Sequence, residues 1–216
     1  MRNFIIVGHR AVTDSNFSLN DLPGSGGRMD ILARCINAAF VLSHGIRKDV
    51  EVAVLLLGPE EPPKSVRFVG AVLKYLNPDE RSTGALIRNA LVKHSAMKTN
   101  SNPEQPITSG TFKDEIKSSP GVYISSTDLK GLLKFYSGKS QIVYLLESAP
   151  NISETKIGVD DEDLTFILSD DKDLTEDEEK MIRKYSKAEF SVGPEILHSE
   201  HCITIVHNIL DLQNKA

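Results

Sequence analysis

Residues 164–212, LTFILSDDKDLTEDEEKMIRKYSKAEFSVGPEILHSEHCITIVHNILDL, contain two short apolar runs that alternate with two amphipathic segments. The runs Leu164–Leu168 and Glu189–Val192 are typical of buried strands. The segments Thr175–Tyr185 and Ser199–Leu212 carry apolar residues at helical spacing, which predicts helices. Strands that alternate with helices favour a parallel sheet, because each parallel connection must return to the starting end of the sheet.

The same alternation extends toward the N-terminus. We predict strands at Asn3–Gly8, Asp49–Leu57, Ser65–Val69, Val122–Ile124 and Gln141–Leu146, and helices at Arg28–His44, Pro78–His94 and Thr127–Tyr136. Residues 95–121 interrupt the pattern with many Ser, Thr, Pro and Asn residues, which predicts a loop-rich insertion. The expected fold is therefore a single α/β domain over residues 1–216, with a mainly parallel sheet flanked by helices.

The composition is that of an ordinary globular protein. Of the 216 residues, 40% are hydrophobic and 25% are charged, which excludes a disordered or fibrous chain. Apolar runs such as Val52–Leu57 are too short to cross a membrane, and the N-terminus lacks the apolar core of a signal peptide, so we expect a cytoplasmic protein without a membrane segment. The two cysteines, Cys35 and Cys202, exclude a disulfide framework and a metal site made only of cysteines.

The charge is distributed unevenly along the chain. Residues 1–94 hold 12 Lys and Arg against 9 Asp and Glu, a net of +3, whereas residues 95–216 hold 13 against 21, a net of −8. A basic face can bind a polyanion even on an acidic protein, because exposed charges are screened beyond about 10 Å. The formal net charge of −5 therefore does not exclude RNA as a partner.

Two groups of potential metal ligands have simpler explanations. Residues 159–180 carry 11 acidic residues in 22 positions, which is typical of a solvated rim that leads into a helix N-terminus. His198, His201 and His207 lie near Cys202, but the apolar stripe of the last helix competes for the same face. We therefore expect no metal.

The sequence DLPGSGGRMD, residues 21–30, combines three glycines with a charged pair. It is either an anion cradle at a helix N-terminus or a flexible turn, and it lacks the Lys-Ser/Thr pair of a P-loop. Arg28 and Asp30 can meet in the first turn of the helix, where they could orient a polar substrate or form an ordinary cap and surface ion pair. Arg67, Arg81 and Arg88 add basic groups to the same half of the chain.

Four separated blocks resemble the archaeal tRNA pseudouridine-54 N1-methyltransferase family of the SPOUT superfamily. These blocks are DLPGSGGRMDILARC (21–35), FVLSHGIRKDVEV (40–52), FVGAVLKYLNPDER (68–81) and LHSEHCITIVHNILD (197–211). The resemblance implies an α/β fold with a C-terminal trefoil knot, which periodicity could not have indicated because knots are rare. It also implies S-adenosylmethionine as cofactor, a homodimer formed through the knotted region, and tRNA that contains pseudouridine as substrate.

The resemblance assigns roles to particular residues of this chain. Arg28 and Asp30 are the implied catalytic pair, and Arg67, Arg81 and Arg88 are candidates for contacts with RNA. The implied cofactor loops contain Leu145, Ser169, Ser191, Val192, Gly193, Pro194, Glu195, Ile196, Leu197 and Cys202. Ser169 departs from the family pattern, which has glycine at this position, so a side chain lies where close backbone approach would be favoured.

Other functions fit parts of the same pattern. A related branch of pseudouridine N1-methyltransferases acts on rRNA in ribosome biogenesis and shares the Arg-x-Asp signature. A non-catalytic RNA-binding protein could keep the fold without methyl transfer, and Ser169 slightly favours that alternative. Nucleotide hydrolysis at the glycine-rich loop is disfavoured by the missing lysine and hydroxyl partner.

Overall fold

The computed structural model describes residues 1–100, 112, 114–157 and 163–213, with only the helical backbone of residues 98–100. The strands in these residues are β1 (Arg2–Gly8), β2 (Val41–Leu42), β3 (Gly45–Ile46), β4 (Val50–Leu56), β5 (Lys64–Val69), β6 (Ile116–Ser119), β7 (Val122–Ser125), β8 (Gln141–Leu145), β9 (Leu164–Ser169) and β10 (Ser186–Phe190). The α-helices are α1 (Met29–Phe40), α2 (Glu80–Asn100), α3 (Leu129–Ser137), α4 (Glu176–Tyr185) and α5 (Ser199–Gln213).

Eight of these strands form one mixed sheet in the order β10-β8-β9-β1-β4-β5-β7-β6. The five strands from β10 to β4 are parallel to their neighbours, whereas β5, β7 and β6 extend the sheet in antiparallel pairing. The expected mainly parallel α/β fold is confirmed. The antiparallel part arises because β4 and β5, like β6 and β7, are joined by connections too short for a parallel crossover.

Helices cover both faces of the sheet. Phe4 and Ile6 of β1 face the layer formed by α1, α2 and α5, whereas Ile5 and Val7 face α3 and α4. Because successive side chains of a strand point to opposite faces, a strand covered on both sides must be apolar throughout, as β1 is from Phe4 to Val7. Within the part of the chain that the structure describes, none of the helices has the length and apolar character of a bilayer span.

Several predicted boundaries differ from the structure, and β10 covers Ser186–Phe190 where Glu189–Val192 was expected. Helix α1 ends at Phe40, because the chain turns into the small β2–β3 hairpin, where Gly45 has a φ of +150°. Helix α2 continues to Asn100, since residues 95–100 contain no proline or glycine. Residues 116–119, expected in the loop-rich insertion, form β6 and pair with β7 through a turn at Gly121, whose φ is +79°. Residues 101–111 of that predicted insertion lie outside the described residues.

Candidate active site

The carboxyl ends of β10, β8, β9, β1 and β4 lie at one edge of the sheet, because these strands are parallel. The loops that leave this edge bring together distant parts of the sequence. In open α/β sheets such an edge is the usual place for a ligand. Most of the residues that were singled out in the sequence lie here.

A cleft of about 110 Å³ lies between the loops that follow β8, β9 and β10. Eight of the sequence-predicted cofactor residues line it: Leu145, Ser169, Ser191, Val192, Gly193, Glu195, Leu197 and Cys202. Pro194 and Ile196 belong to the same loop but do not line the cleft, and Ile196 is 75% exposed. Leu146, Glu147, Leu168, Phe190 and Ser199 also line it and were not predicted, although each lies within two residues of a predicted residue in sequence.

Hydrogen bonds between the loops fix the walls of this cleft. The amide of Leu146 donates to the carbonyl of Phe190, and the amide of Ile152 donates to the carbonyl of Ser191, both at 2.9 Å. The hydroxyl of Ser199, the first residue of α5, donates to the carbonyl of Ser169 at 2.6 Å. The backbone at Ser169, where the family pattern has glycine, is therefore hydrogen-bonded to the start of α5.

The glycine-rich loop is closed by its own aspartate. The Asp21 carboxylate accepts hydrogen bonds from the amides of Gly24 at 3.1 Å and Ser25 at 2.9 Å. These are the amides that an anion cradle would offer to a phosphate, so the cradle interpretation is wrong in this conformation. Gly27 has a φ of +62°, and a Cβ there would lie 1.9 Å from the carbonyl oxygen of Arg10. The glycine thus serves close packing of the loop against the segment after β1.

Arg28 and Asp30 form a bidentate ion pair at the start of α1. Arg28 Nε and Nη2 donate to the two Asp30 carboxylate oxygens, each at 3.1 Å, and Arg34 Nη1 adds a third hydrogen bond at 3.0 Å. Arg28 adopts a left-handed conformation with φ 68° and ψ 29°, which is uncommon for a residue other than glycine and is typical of functional sites. The Arg28 side chain remains 31% exposed, whereas that of Asp30 is only 5% exposed.

The two arginines keep Asp30 ionised. Burial acts to raise the pKa of this carboxyl group, but the hydrogen bonds from Arg28 and Arg34 outweigh burial and lower the pKa below its usual value. Arg34 is in turn held by Glu80 of α2 at 3.2 Å and by Glu200 of α5 at 2.9 Å. The charged pair is therefore positioned from three helices.

The loop after β9 connects the cleft to this pair. Asp171 lies two residues after the cleft residue Ser169 and accepts a hydrogen bond from Arg28 Nη1 at 3.2 Å. Arg10 forms a second ion pair with Asp171. The acidic run was expected to be a solvated rim, and this is wrong for Asp170, Asp171 and Glu178, which have basic partners. Residues 158–162 lie outside the described residues.

The three arginines expected to contact RNA lie in different environments. Arg67 is only 6% exposed and forms ion pairs with Glu51 at 3.2 Å and Glu115 at 2.7 Å inside the protein. The prediction for Arg67 is therefore corrected, because its guanidinium is committed to buried carboxylates. Arg81 is exposed near the start of α2 and Arg88 is partly exposed on the same helix, and within the described residues neither forms an ion pair.

The C-terminal histidines and Cys202 do not form a metal-binding cluster. No group of three or more His, Cys, Asp or Glu side chains is placed for a metal ion in residues 1–97, 112, 114–157 and 163–213. His207 is buried, where Nδ1 lies 3.2 Å from Arg2 Nη1 and Nε2 lies 3.0 Å from the carbonyl of Ala39. Burial raises the pKa of Cys202 to about 11, so this cleft thiol stays protonated and packs rather than reacts.

Comparisons with known proteins show the family to which the chain belongs. A family model described as "Putative SAM-dependent RNA methyltransferase" matches residues 1–215. The curated tRNA (pseudouridine(54)-N(1))-methyltransferase of Methanosarcina mazei is 46% identical over 211 residues, with 98% of this chain and 91% of the relative covered. Those of Methanococcoides burtonii and Methanocaldococcus jannaschii are 45% and 38% identical, with 98% of this chain and 96% and 97% of the relatives covered.

A solved structure shares the fold. The crystal structure of Archaeoglobus fulgidus Nep1 bound to S-adenosylhomocysteine matches with a TM-score of 0.61, and the match covers 100% of this chain and 98% of that one. The sequence identity is 12%, so the likeness concerns the fold alone.

Proposed function

Because this chain belongs to the family of tRNA (pseudouridine(54)-N(1))-methyltransferases, we propose that it transfers a methyl group from S-adenosylmethionine to N1 of pseudouridine 54 in tRNA. One structural observation carries the proposal. The hydrogen bond from Arg28 to Asp171 joins the charged pair to the same loop that lines the cleft through Ser169. A substrate held by Arg28 would therefore lie beside a cofactor held in the cleft.

The cleft has the chemistry that this cofactor needs. Leu145, Leu168 and Phe190 provide apolar walls suited to a flat adenine ring, while the carboxylates of Glu147 and Glu195 can accept hydrogen bonds from ribose hydroxyl or ammonium groups. At Gly193 an added Cβ would meet no atom within 4 Å, so the backbone there is open to a ligand. When bound, the cofactor supplies an electrophilic methyl group on a sulfonium.

Arg28 is proposed to bind the uracil ring of the substrate. Transfer of the N1 proton to solvent water places negative charge on the ring and its carbonyl oxygens, and a guanidinium aimed at such an oxygen stabilises that charge. The Arg28 side chain is 31% exposed, and Nη1 and Nη2 each keep one N–H for this contact beyond those that donate to Asp171 and Asp30. Fixing the ring near the methyl donor contributes further, since orientation can supply about 7 to 11 kcal/mol of a barrier.

Asp30 is proposed to orient Arg28 rather than to accept the N1 proton. Both of its oxygens already accept hydrogen bonds from guanidinium groups, and its pKa lies below the usual value because these hydrogen bonds outweigh the opposing effect of burial. A carboxylate with a lowered pKa is a weak base, whereas the bidentate geometry is well suited to fixing a guanidinium plane.

The tRNA is proposed to approach from the side of α2. Arg81 and Arg88 belong to the basic N-terminal half and face outward, so they can contact phosphates without breaking an internal ion pair. Because the substrate is tRNA, we place the protein in the cytoplasm.

A homodimer formed through the C-terminal segment is part of the proposal. Helix α5 buries Ile203, Val206 and Leu210 inside the protein, but Leu212 on the same helix is 61% exposed and Ile196 in the preceding loop is 75% exposed. The partly exposed Ile205 and Ile209 lie on the same helical face as Leu212, and this apolar face favours a contact with a second copy. Light scattering coupled to size exclusion should give twice the mass of the 23.8 kDa chain, and a mass of one chain would contradict the dimer.

Nucleoside analysis tests the reaction. The protein is incubated with S-adenosylmethionine labelled in its methyl group and with tRNA that contains pseudouridine in the T-loop, and the digested nucleosides are analysed by mass spectrometry. We expect the label in N1-methylpseudouridine. Cofactor binding without labelled tRNA would point to another RNA, and absence of cofactor binding would refute an enzyme that uses this cofactor.

A further inference from the structure

His9 follows β1 and joins three elements at the site edge of the sheet. Its Nδ1 lies 3.0 Å from Asp170 Oδ1 and its Nε2 lies 3.1 Å from Glu178 Oε2, while its backbone amide donates to Asp170 Oδ2 at 2.8 Å. The side chain of His9 is 12% exposed and that of Asp170 is 1% exposed. His9 thus connects the end of β1 with the loop after β9 and with α4.

The two carboxylates within hydrogen-bond distance of its ring nitrogens favour the charged form of His9. A neutral imidazole has one N–H donor, so one of its nitrogens would direct a lone pair at a carboxylate oxygen about 3 Å away. The imidazolium has a donor on each nitrogen and satisfies both carboxylates. Asp170 and Glu178 accept additional backbone hydrogen bonds, from Lys172 at 3.1 Å and Thr175 at 2.8 Å, which hold them as acceptors.

Asp170, the residue that His9 binds, lies between two residues of the proposed site. Ser169, just before Asp170, lines the cleft, and Asp171, just after it, binds Arg28. A shift of the Asp170 carboxylate would therefore move both the cleft wall and the partner of Arg28. Arg10, the residue after His9, binds the same loop through its ion pair with Asp171.

We propose that His9, as an imidazolium, is a positioning residue that fixes residues 169–171 and thereby the cofactor cleft and Arg28 relative to each other. This role rests on the proposed function in so far as the cleft binds S-adenosylmethionine. Among the described residues His9 does not line the cleft and forms no hydrogen bond or ion pair with Arg28, so it acts through Asp170.

The charges around His9 determine the pH range in which the charged bridge that it forms between Asp170 and Glu178 exists. Asp170 faces it from the loop after β9 and Glu178 faces it from α4, while Arg10 and Asp171 pair with each other nearby. The hydrogen bond with Asp170, helped by Glu178 and opposed by burial, raises the pKa of His9 above 6.5. A raised pKa means that the bridge is complete below pH 6.5 and is lost as the pH rises through the pKa of the folded state.

Binding of S-adenosylhomocysteine at several pH values tests the role. For the wild type we expect affinity to decrease as the pH rises through the pKa of His9. His9→Gln should bind about tenfold more weakly at pH 6.5, because it loses charged hydrogen bonds, and its affinity should not follow this pH dependence. Glu178→Gln keeps a side chain that can complete the helix cap but removes one charge, so it should move the midpoint to lower pH.

The matched control is His44→Gln, since His44 is exposed in the turn between β2 and β3 and should leave affinity and pH profile unchanged. Amide hydrogen exchange provides a readout that does not require a cofactor. His9→Gln should accelerate exchange in residues 169–178 with little change in β4 and β5. Wild-type affinity, pH profile and exchange in His9→Gln would overturn the inference.

The two proposals fail in different ways. A wild type that does not bind S-adenosylhomocysteine refutes the proposed function, and the exchange measurement then still decides whether His9 fixes the loop. A wild type that binds, with equal exchange and pH profile in His9→Gln, refutes only the role of His9.

Discussion

At the scale of single residues, the guanidinium groups of Arg28 and Arg34 both contact Asp30, and these contacts determine the role of the aspartate. Arg28 and Arg34 together fill both carboxylate oxygens, so the aspartate is a fixed anchor at the start of α1. Arg28 alone contacts both oxygens, and Arg34 adds a second guanidinium to Oδ2. The contact from Arg34, four residues along the same helix, adds to that from Arg28 in lowering the pKa of Asp30 against the effect of burial, which favours positioning over base catalysis.

Asp30→Asn should lower kcat without preventing cofactor binding. The amide preserves the size of the side chain but cannot accept two charged hydrogen bonds, so Arg28 loses its fixed orientation. We expect kcat to fall roughly 10- to 100-fold, a typical result of small misplacement at an active site. The dissociation constant of S-adenosylhomocysteine should change less than about twofold. Asp177→Asn, on an almost fully exposed side chain of α4, is the control, and an unchanged kcat in Asp30→Asn would refute the assignment.

His207 should make the stability of the protein depend on pH. Burial and the neighbouring Arg47 and Arg2 lower the pKa of His207 to about 4. A lowered pKa means that the neutral form stabilises the fold above pH 6.5, and that this stability is lost as the pH falls toward 4. The shift corresponds to about 3 kcal/mol.

Urea unfolding at pH 7 and pH 4.5 measures this contribution. His207→Gln cannot be protonated and can still donate to the Ala39 carbonyl, so its unfolding free energy should fall less between the two pH values than that of the wild type. Equal pH dependence in both proteins would show that His207 does not carry the effect.

At the scale of secondary-structure elements, the glycine-rich loop packs closely against the segment that follows β1. The Arg10 carbonyl oxygen lies close to both Gly27 and Gly58, where an added Cβ would approach it to 1.9 Å and 2.3 Å. Arg10 binds Asp171 and the residue after Gly27 is Arg28. Packing at these glycines therefore sets the distance between the two arginines that hold the loop after β9.

Gly27→Ala should destabilise the protein and impair activity together. The substitution meets a positive φ and a backbone oxygen, so we expect a loss of about 2 kcal/mol or more in the free energy of unfolding. Gly138→Ala is the control, because its Cβ would lie 3.5 Å from the nearest atom at a φ of −80°. Thermal melting and label transfer measure the two effects, and a wild-type melting temperature for Gly27→Ala would contradict the packing described here.

Most elements could be predicted from periodicity, but their ends could not. The apolar spacing of α1 continues past Phe40 to Leu42, and only tertiary structure shows that the chain turns there. The glycine-rich loop left two interpretations open, because sequence cannot reveal that Asp21 occupies its amides. The role of Arg67 was misjudged for a similar reason, since its buried partners Glu51 and Glu115 come from other elements.

At the scale of the whole molecule, the sheet order gathers the site from separate parts of the chain. Residues 9–30 come next to residues 145–202 because β1 lies beside β9. No local pattern indicates this pairing, so His9, Arg34 and Asp171 carried no signal that could have identified them in the sequence. The cofactor loops were predicted through family resemblance, because residues at the ends of three strands form no contiguous motif.

The basic N-terminal half should make tRNA binding sensitive to salt. Replacing Arg81 and Arg88 together by alanine removes two exposed positive charges from α2 and should reduce the slope of log affinity against log salt by about 1 to 2. Affinity should fall for tRNAs of different sequence alike, since phosphate contacts do not read bases. Arg183→Ala in the acidic half is the control, and an unchanged slope in the double variant would place the RNA elsewhere.

Methyl transfer to pseudouridine 54 is tested most directly by locating the methyl group on the substrate. Two tRNAs that differ only in having pseudouridine or uridine at position 54 are incubated with the protein and labelled S-adenosylmethionine, and their T-loop fragments are analysed by mass spectrometry. For the proposed reaction we expect one added methyl group on N1 of pseudouridine 54, none in the uridine tRNA, and strongly slowed transfer with Asp30→Asn. Transfer to both tRNAs alike, or to neither, would contradict it.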